Sequence, residues 1–162
     1  MGVVRRMARL LVGVLLVVGC SSGARPALDD ASTRDQVGRI IAPGQVGILR
    51  LRTGDCFIAG EAQVVEFVSG VPCSMDHDGE VFAVFDMQDS TWPGATTVES
   101  VATRECQARF SSSTGLALDA AVARLSAFAP TMDSWNEDRS IICIAASPDG
   151  SMMRGSLTGA GT

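Results

Sequence analysis

An odd number of cysteines, five in 162 residues, limits what this chain can fold into more than any other feature. Cys20 stands directly after a stretch that reads as an export leader, in which Arg5, Arg6 and Arg9 give a positive start and Leu10 to Val18 an apolar run broken only by Gly13. Such a run is too short to span a bilayer as a stop-transfer helix. With Cys20 set aside, Cys56, Cys73, Cys106 and Cys143 form an even set in an oxidising compartment, which reads as two disulfides. Three pairings are open, and sequence order does not choose among them. We favour Cys56–Cys73 and Cys106–Cys143, which close loops of 17 and 37 residues. On a chain-entropy estimate these stabilise by roughly 3 and 4 kcal/mol, comparable with the whole margin of a small domain.

The odd cysteine has its own explanation. Val17-Val18-Gly19-Cys20 resembles a bacterial lipobox, which implies a signal peptide over residues 1–19 and a mature lipoprotein beginning at Cys20, its sulfur carrying a palmitate-type diacylglyceryl group. The expected location is the extracytoplasmic face of the cell membrane. An ordinary secretory signal with a coincidental cysteine is the alternative. N-myristoylation at Gly2 fails because position 6 is Arg6 rather than Ser or Thr. Arg5-Arg6 suggests twin-arginine export, but its flanks fit poorly and the export route stays open.

Charge narrows the partners. All thirteen basic residues are arginine, a coding bias with an actinobacterial flavour, and only ten of them follow Cys20. All eighteen acids do, so the mature chain carries −8. An acidic body without a basic stripe argues against nucleic acid. From Ser21 to Gly44 the chain is rich in Ser, Ala, Gly, Asp and Arg, with Pro26 and Pro43, so residues 20–45 read as a lipidated flexible tether of roughly 25–30 Å reach. A short helical turn around Asp35 to Ile41 is compatible with that reading. The folded domain is expected over 46–157, with 158–162 a disordered tail.

Within the domain, Val46 to Leu51 and Val64 to Val68 read as strands, and Val81 to Met87, apolar on both faces, as the central one. From Thr97 to Ser111, Val98, Val101, Ala102, Cys106 and Phe110 follow helical spacing, with Cys106 on the inner face. Asp119 to Leu125 is helix-like, although Leu125 to Ala129 could already be extended. Thr131 to Arg139 is turn-like around Trp135, and Ser140 to Ala146 is a buried strand. Pro148-Asp149-Gly150 marks a turn, after which Met152 to Leu157 could return as an edge strand. The expected fold class is α+β, a small single domain whose mainly antiparallel sheet packs against one or two helices and is stapled by two disulfides.

Several spaced motifs together carry a family likeness. They are Gly54-Asp55-Cys56-Phe57, then Val71-Pro72-Cys73-Ser74 with His77 and Glu80-Val81, then Cys106 ahead of Phe110. After these come Pro130 with Trp135, Asp138-Arg139 and Cys143, and finally Asp149-Gly150 with Gly155-Ser156-Leu157. Across about residues 47–157 the chain resembles the actinobacterial septum-formation domain family. That resemblance implies a small extracytoplasmic α+β module, often on membrane-anchored proteins, with no established enzymatic activity and a name that points to cell division. The chain departs from the family in having Asn136-Glu137 where a glycine commonly precedes Asp-Arg.

Any chemistry should pass through the stretch from Gly54 to Val81, which holds two of the four remaining cysteines and the only histidine, or be excluded by it. His77 with Asp76, Asp78 and Glu80 could be imagined as a metal site, but a single histidine beside an oxidised Cys73 makes a poor zinc centre. The alternate carboxylates resemble a calcium loop only superficially, lacking its spacing. No Gly-x-Ser-x-Gly elbow is present, and a Cys73–His77 pair would need a reduced thiol in an oxidising compartment. The sequence therefore suggests a lipid-anchored binding or scaffold module of the cell envelope, linked to septum formation and not an enzyme. Neither a cofactor nor a small-molecule substrate is indicated, and envelope or division proteins are the expected partners. The alternative is a small envelope hydrolase or metal-dependent enzyme centred on His77. The candidate binding surface comprises Asp76, His77, Asp78 and Glu80, an acidic loop expected to face outward, with Trp135, Asp138 and Arg139. For Trp135 the favoured reading is a plug of the core under its loop, fastened by Asp138 and Arg139, while Trp92 could be exposed.

Overall fold

The computed structural model describes residues 32–60, 65–119 and 122–159; the leader, Cys20 and the last three residues lie outside this range. Two sheets and one α-helix make up the architecture of the described residues. Strands β1 (Thr33–Arg34) and β2 (Ile40–Ala42) pair as a small hairpin. The main sheet contains β3 (Gly44–Gly47), β4 (Cys56–Ile58), β5 (Phe67–Val71), β6 (Gly79–Asp86), β7 (Arg124–Phe128) and β8 (Ser140–Ala146). Its order is β3-β5-β4-β6-β8-β7, and every pairing is antiparallel. Helix α1 (Ala95–Thr114) lies across β6, β7 and β8.

Both faces of the sheet are covered, which is why its inner strands are apolar on both sides. On β8, Ile141, Cys143 and Ala145 face the helix cluster, whereas Ile142 and Ile144 join Ile40, Val46, Leu51, Phe57 and Val68 on the opposite face. A register shift between Val81 and Ala83 in β6 breaks strict alternation: Val81 serves the second cluster while Phe82 and Ala83 serve the first. The helix contributes Val98, Ala102, Cys106 and Phe110, one residue per turn along a single buried line. It ends at Gly115, whose φ of 73° closes the left-handed cap.

The disulfides join Cys56 to Cys73 and Cys106 to Cys143, with Cα separations of 5.1 and 5.5 Å. Cys106 meets Cys143 from the inner line of the helix, so this staple clamps α1 to β8. The other closes the segment between β4 and the loop after β5.

Several boundaries differ from those the sequence suggests. Strand structure begins at Thr33 rather than at Gln45, because Arg34 reaches Asp55 and pins the β1–β2 hairpin to the body. Only the part of the expected tether ahead of residue 32 lies outside the described residues, and the anticipated helical turn at Asp35 to Ile41 is the hairpin bend instead. The first long strand shortens to β3, followed by a 3-10 turn at Ile48–Arg50. The second shifts to Phe67–Val71, where Gly70 sits against Val46 and Ile40; a Cβ there would lie 2.6 Å from Val46. The helix-like residues Arg124 and Leu125 are strand β7, since pairing with β8 outweighs their local helical preference. Met152 to Leu157 forms no strand beyond a single bridge between Met153 and His77.

Candidate functional site

Residues Asp76 to Glu80 do not form the outward acidic loop that the sequence suggests. Cys56 stands opposite Glu80 in the β4–β6 ladder, and His77 and Glu80 are fully buried. The reason is a strap formed by residues 153–158. Met153 exchanges both backbone hydrogen bonds with His77, at 3.1 and 2.7 Å, and the Gly155 N–H donates to the Cys73 carbonyl at 2.7 Å. The Glu80 carboxylate then receives four donors: Leu157 N–H at 2.6 Å, Ser156 Oγ at 2.7 Å, Thr158 Oγ1 at 2.8 Å and Thr158 N–H at 3.1 Å. A buried carboxylate without a cationic partner is tolerable when its lone pairs are this fully used. Thr158 is accordingly fixed rather than the start of a frayed tail.

Donor atoms of Cys56, His77 and Glu80 lie within 4.8 Å of one another. Their chemistry does not suit a cation. The Cys56 sulfur is bound to Cys73 and carries no thiolate charge, and both Glu80 oxygens already accept hydrogen bonds. His77 Nδ1 lies 2.9 Å from the Met75 carbonyl, a geometry in which Nδ1–H donates, and Nε2 is buried without a hydrogen-bond partner among the described residues. The remaining carboxylates diverge. Asp76 is exposed and pairs with Arg154 at 2.9 Å, whereas Asp78 accepts from the Ala59 N–H at 2.9 and 3.0 Å and ends β4. Of the sequence-derived binding surface, only Asp76 here faces solvent fully.

Trp135 likewise leaves the surface, since it is buried in the helix-side core. Trp92 packs edge-on against it, with centroids 5.2 Å apart at 74°. Arg139 lies 5.7 Å over the Trp135 ring and donates to its carbonyl at 3.4 Å. Asp138 Oδ1 accepts from the Ser140 N–H at 3.1 Å and the Ser140 hydroxyl at 2.7 Å. These contacts make Trp135 the plug and Asp138 and Arg139 the fasteners of the turn.

What the molecule offers a ligand lies elsewhere. A groove of about 710 Å³ runs between α1 and β7, with Ala102 and Cys106 at its helical wall, Leu125 and Ala127 on the strand and Trp92 at one end. Met132, 65% exposed, forms a lip. β7 is an end strand of the sheet, paired only with β8 among the described residues, so the groove adjoins an open edge of backbone donors and acceptors. Sequence reasoning misses this groove because it exists only once Arg124–Phe128 is a strand. The alternation of Leu125 and Ala127 with Ser126 was the available signal.

Shifted carboxylates mark turns rather than this groove. The Ser147 hydroxyl, with help from Ser151, holds Asp149 well below the usual carboxylate range. The Arg39 guanidinium lowers Asp35, and Arg109 and then Arg104 lower Glu105. Among the described residues no helix is long and apolar enough to cross a membrane.

A family model described as "Septum formation" matches residues 50–160. No curated protein and no solved structure matches the chain.

Proposed function

The chain belongs to the septum-formation family, and from that membership we propose that it is a lipid-anchored binding module of the bacterial cell envelope that contributes to septum formation without catalysis of its own. The groove between α1 and the open edge of β7 carries the reading. An extended segment of a partner protein fits such a site: its backbone continues the sheet along β7, and alternate apolar side chains enter the groove. A cluster suited to catalysis should present titratable groups to solvent, whereas His77 and Glu80 are sealed beneath the 153–158 strap. Cys20, outside the described residues, supplies the lipid anchor.

Crosslinking in cells followed by partner identification tests the reading. A division or envelope protein should be recovered, and Thr103→Arg, on the exposed helical wall of the groove, should abolish its recovery while the protein stays folded. Loss of a measurable turnover or of a bound metal in a folded His77→Ala protein would favour the enzyme alternative. An unmodified Cys20 in the membrane fraction would remove the anchor.

A further inference from the structure

We propose that the β1–β2 hairpin and the 3-10 turn after β3 form a membrane-facing surface that docks on anionic phospholipid headgroups. The proposal deepens the reading above and takes its placement from the lipid at Cys20. Charge is divided sharply along the chain. Residues 32–58 hold four arginines and two aspartates, a net +2, whereas residues 59–159 hold five arginines against fourteen acids, a net −9. The hairpin and the 3-10 turn within that region carry large exposed apolar side chains, Val37 at 77%, Ile41 at 55% and Leu49 at 54%.

Hydrogen bonds tie the hairpin to the segment that follows the 3-10 turn. Arg34 binds Asp55 through two hydrogen bonds of 2.6 and 2.8 Å and the Gly38 carbonyl at 2.7 Å, while the Arg52 N–H donates to the same aspartate at 2.8 Å. The hairpin bend is thereby tied to the turn at Arg52–Asp55, which directly follows the 3-10 turn holding Leu49 and Arg50. Arg52 Nη1 lies 3.0 Å from where a Cβ on Gly38 would stand. Arg39 is neutralised by Asp35 at 2.8 Å, but Arg50 and Arg52 have no ion pair among the described residues. Apolar side chains flanked by arginines are what an interfacial segment needs, the former entering the headgroup boundary and the latter reaching phosphates.

Geometry favours a phospholipid surface over other anions. Twelve residues lie between Cys20 and Thr33, a span that even fully extended reaches only roughly 45 Å. The anchored chain therefore presents this patch to the bilayer at high local concentration. An anionic leaflet attracts the +2 region and repels the −9 remainder. Because β3 and β7 are opposite ends of the sheet, docking at the β1–β3 end leaves the α1–β7 groove facing away from the membrane, open to a partner. Val37, Arg39 and Ile41 also precede the family-matched residues, which start at 50.

The test uses the mature chain carrying Cys20→Ser, so that no lipid contributes. It is sedimented with vesicles of phosphatidylcholine alone or with one third phosphatidylglycerol. Binding is expected only to the anionic vesicles, weakened on the order of tenfold or more by Arg50→Gln with Arg52→Gln, and comparably lost in roughly 0.5 M salt, where screening acts over about 4 Å. Val37→Ser with Leu49→Ser should also weaken it, and thermal melts should find each variant folded. No binding, equal binding to both vesicles, or binding to a soluble anionic cell-wall polymer in preference to vesicles would overturn the proposal. Intact mass of the native membrane-fraction protein reads Cys20 lipidation separately, so loss of the anchor and loss of this surface are distinguishable.

Discussion

The Leu157 N–H donates to Oε2 of the fully buried Glu80 at 2.6 Å, across 77 residues of sequence. This bond and the three from Ser156 and Thr158 convert a carboxylate in a central strand into the anchor of the C-terminal strap. Glu80→Gln would turn an acceptor toward these donors as an amide NH₂, leaving donors facing donors. The expected cost is about 2–4 kcal/mol in chemical denaturation, with faster hydrogen exchange at Met153 and Gly155. A variant as stable as the parent would contradict this role.

The two disulfides should contribute unequally. Replacing Cys106 and Cys143 together by alanine removes the longer loop closure and should cost roughly 4 kcal/mol, against roughly 3 for the Cys56/Cys73 pair. Cys106–Cys143 also holds α1 to β8, so its loss should expose the groove walls, read as increased proteolysis within 95–132. Equal stability of both double variants and the parent would refute the estimate.

Close packing makes Gly79 irreplaceable. A Cβ there would lie 2.6 Å from Cζ of Phe57, so Gly79→Ala should destabilise by about 1–3 kcal/mol. Combining it with Phe57→Leu should recover part of that cost, a coupling that a double-mutant cycle measures.

At Asp149 the Ser147 hydroxyl stabilises the ionised carboxylate, lowering its pKa from the ordinary 3.8. A lowered folded-state pKa means that the contribution is fully present above about pH 4 and is lost as pH falls through the folded value. Titration followed by carboxyl NMR should find Asp149 still ionised at pH 3, and Ser147→Ala should return it toward 3.8. An unchanged titration in that variant would assign the shift elsewhere.

Much of the frame was legible in residue patterns. Helical spacing at Val98, Ala102, Cys106 and Phe110 located both the helix and the inward cysteine, and the apolar run from Val81 located the central strand. What was not legible depended on partners distant in sequence. His77 and Glu80 looked like surface chemistry because the residues that bury them, Met153 to Thr158, arrive from the chain's far end. The hairpin at Thr33 looked like linker because what ties it to the body, the Arg34–Asp55 pair and the packing of Ile40 into the second core cluster, joins residues distant in sequence. Residues near Arg124 read as helix because propensity is local, whereas the ladder with β8 is not.

The binding groove is the centre of this account, and a photo-crosslinking amino acid placed in living cells tests it most directly. At Met132, on the groove lip, it should give a discrete protein adduct that Thr103→Arg abolishes; at Met152, exposed just ahead of the strap and not lining the groove, it should give none. Adducts of equal yield at both positions, or an adduct at Met132 unaffected by Thr103→Arg, would contradict the assignment of the α1–β7 groove as the binding site.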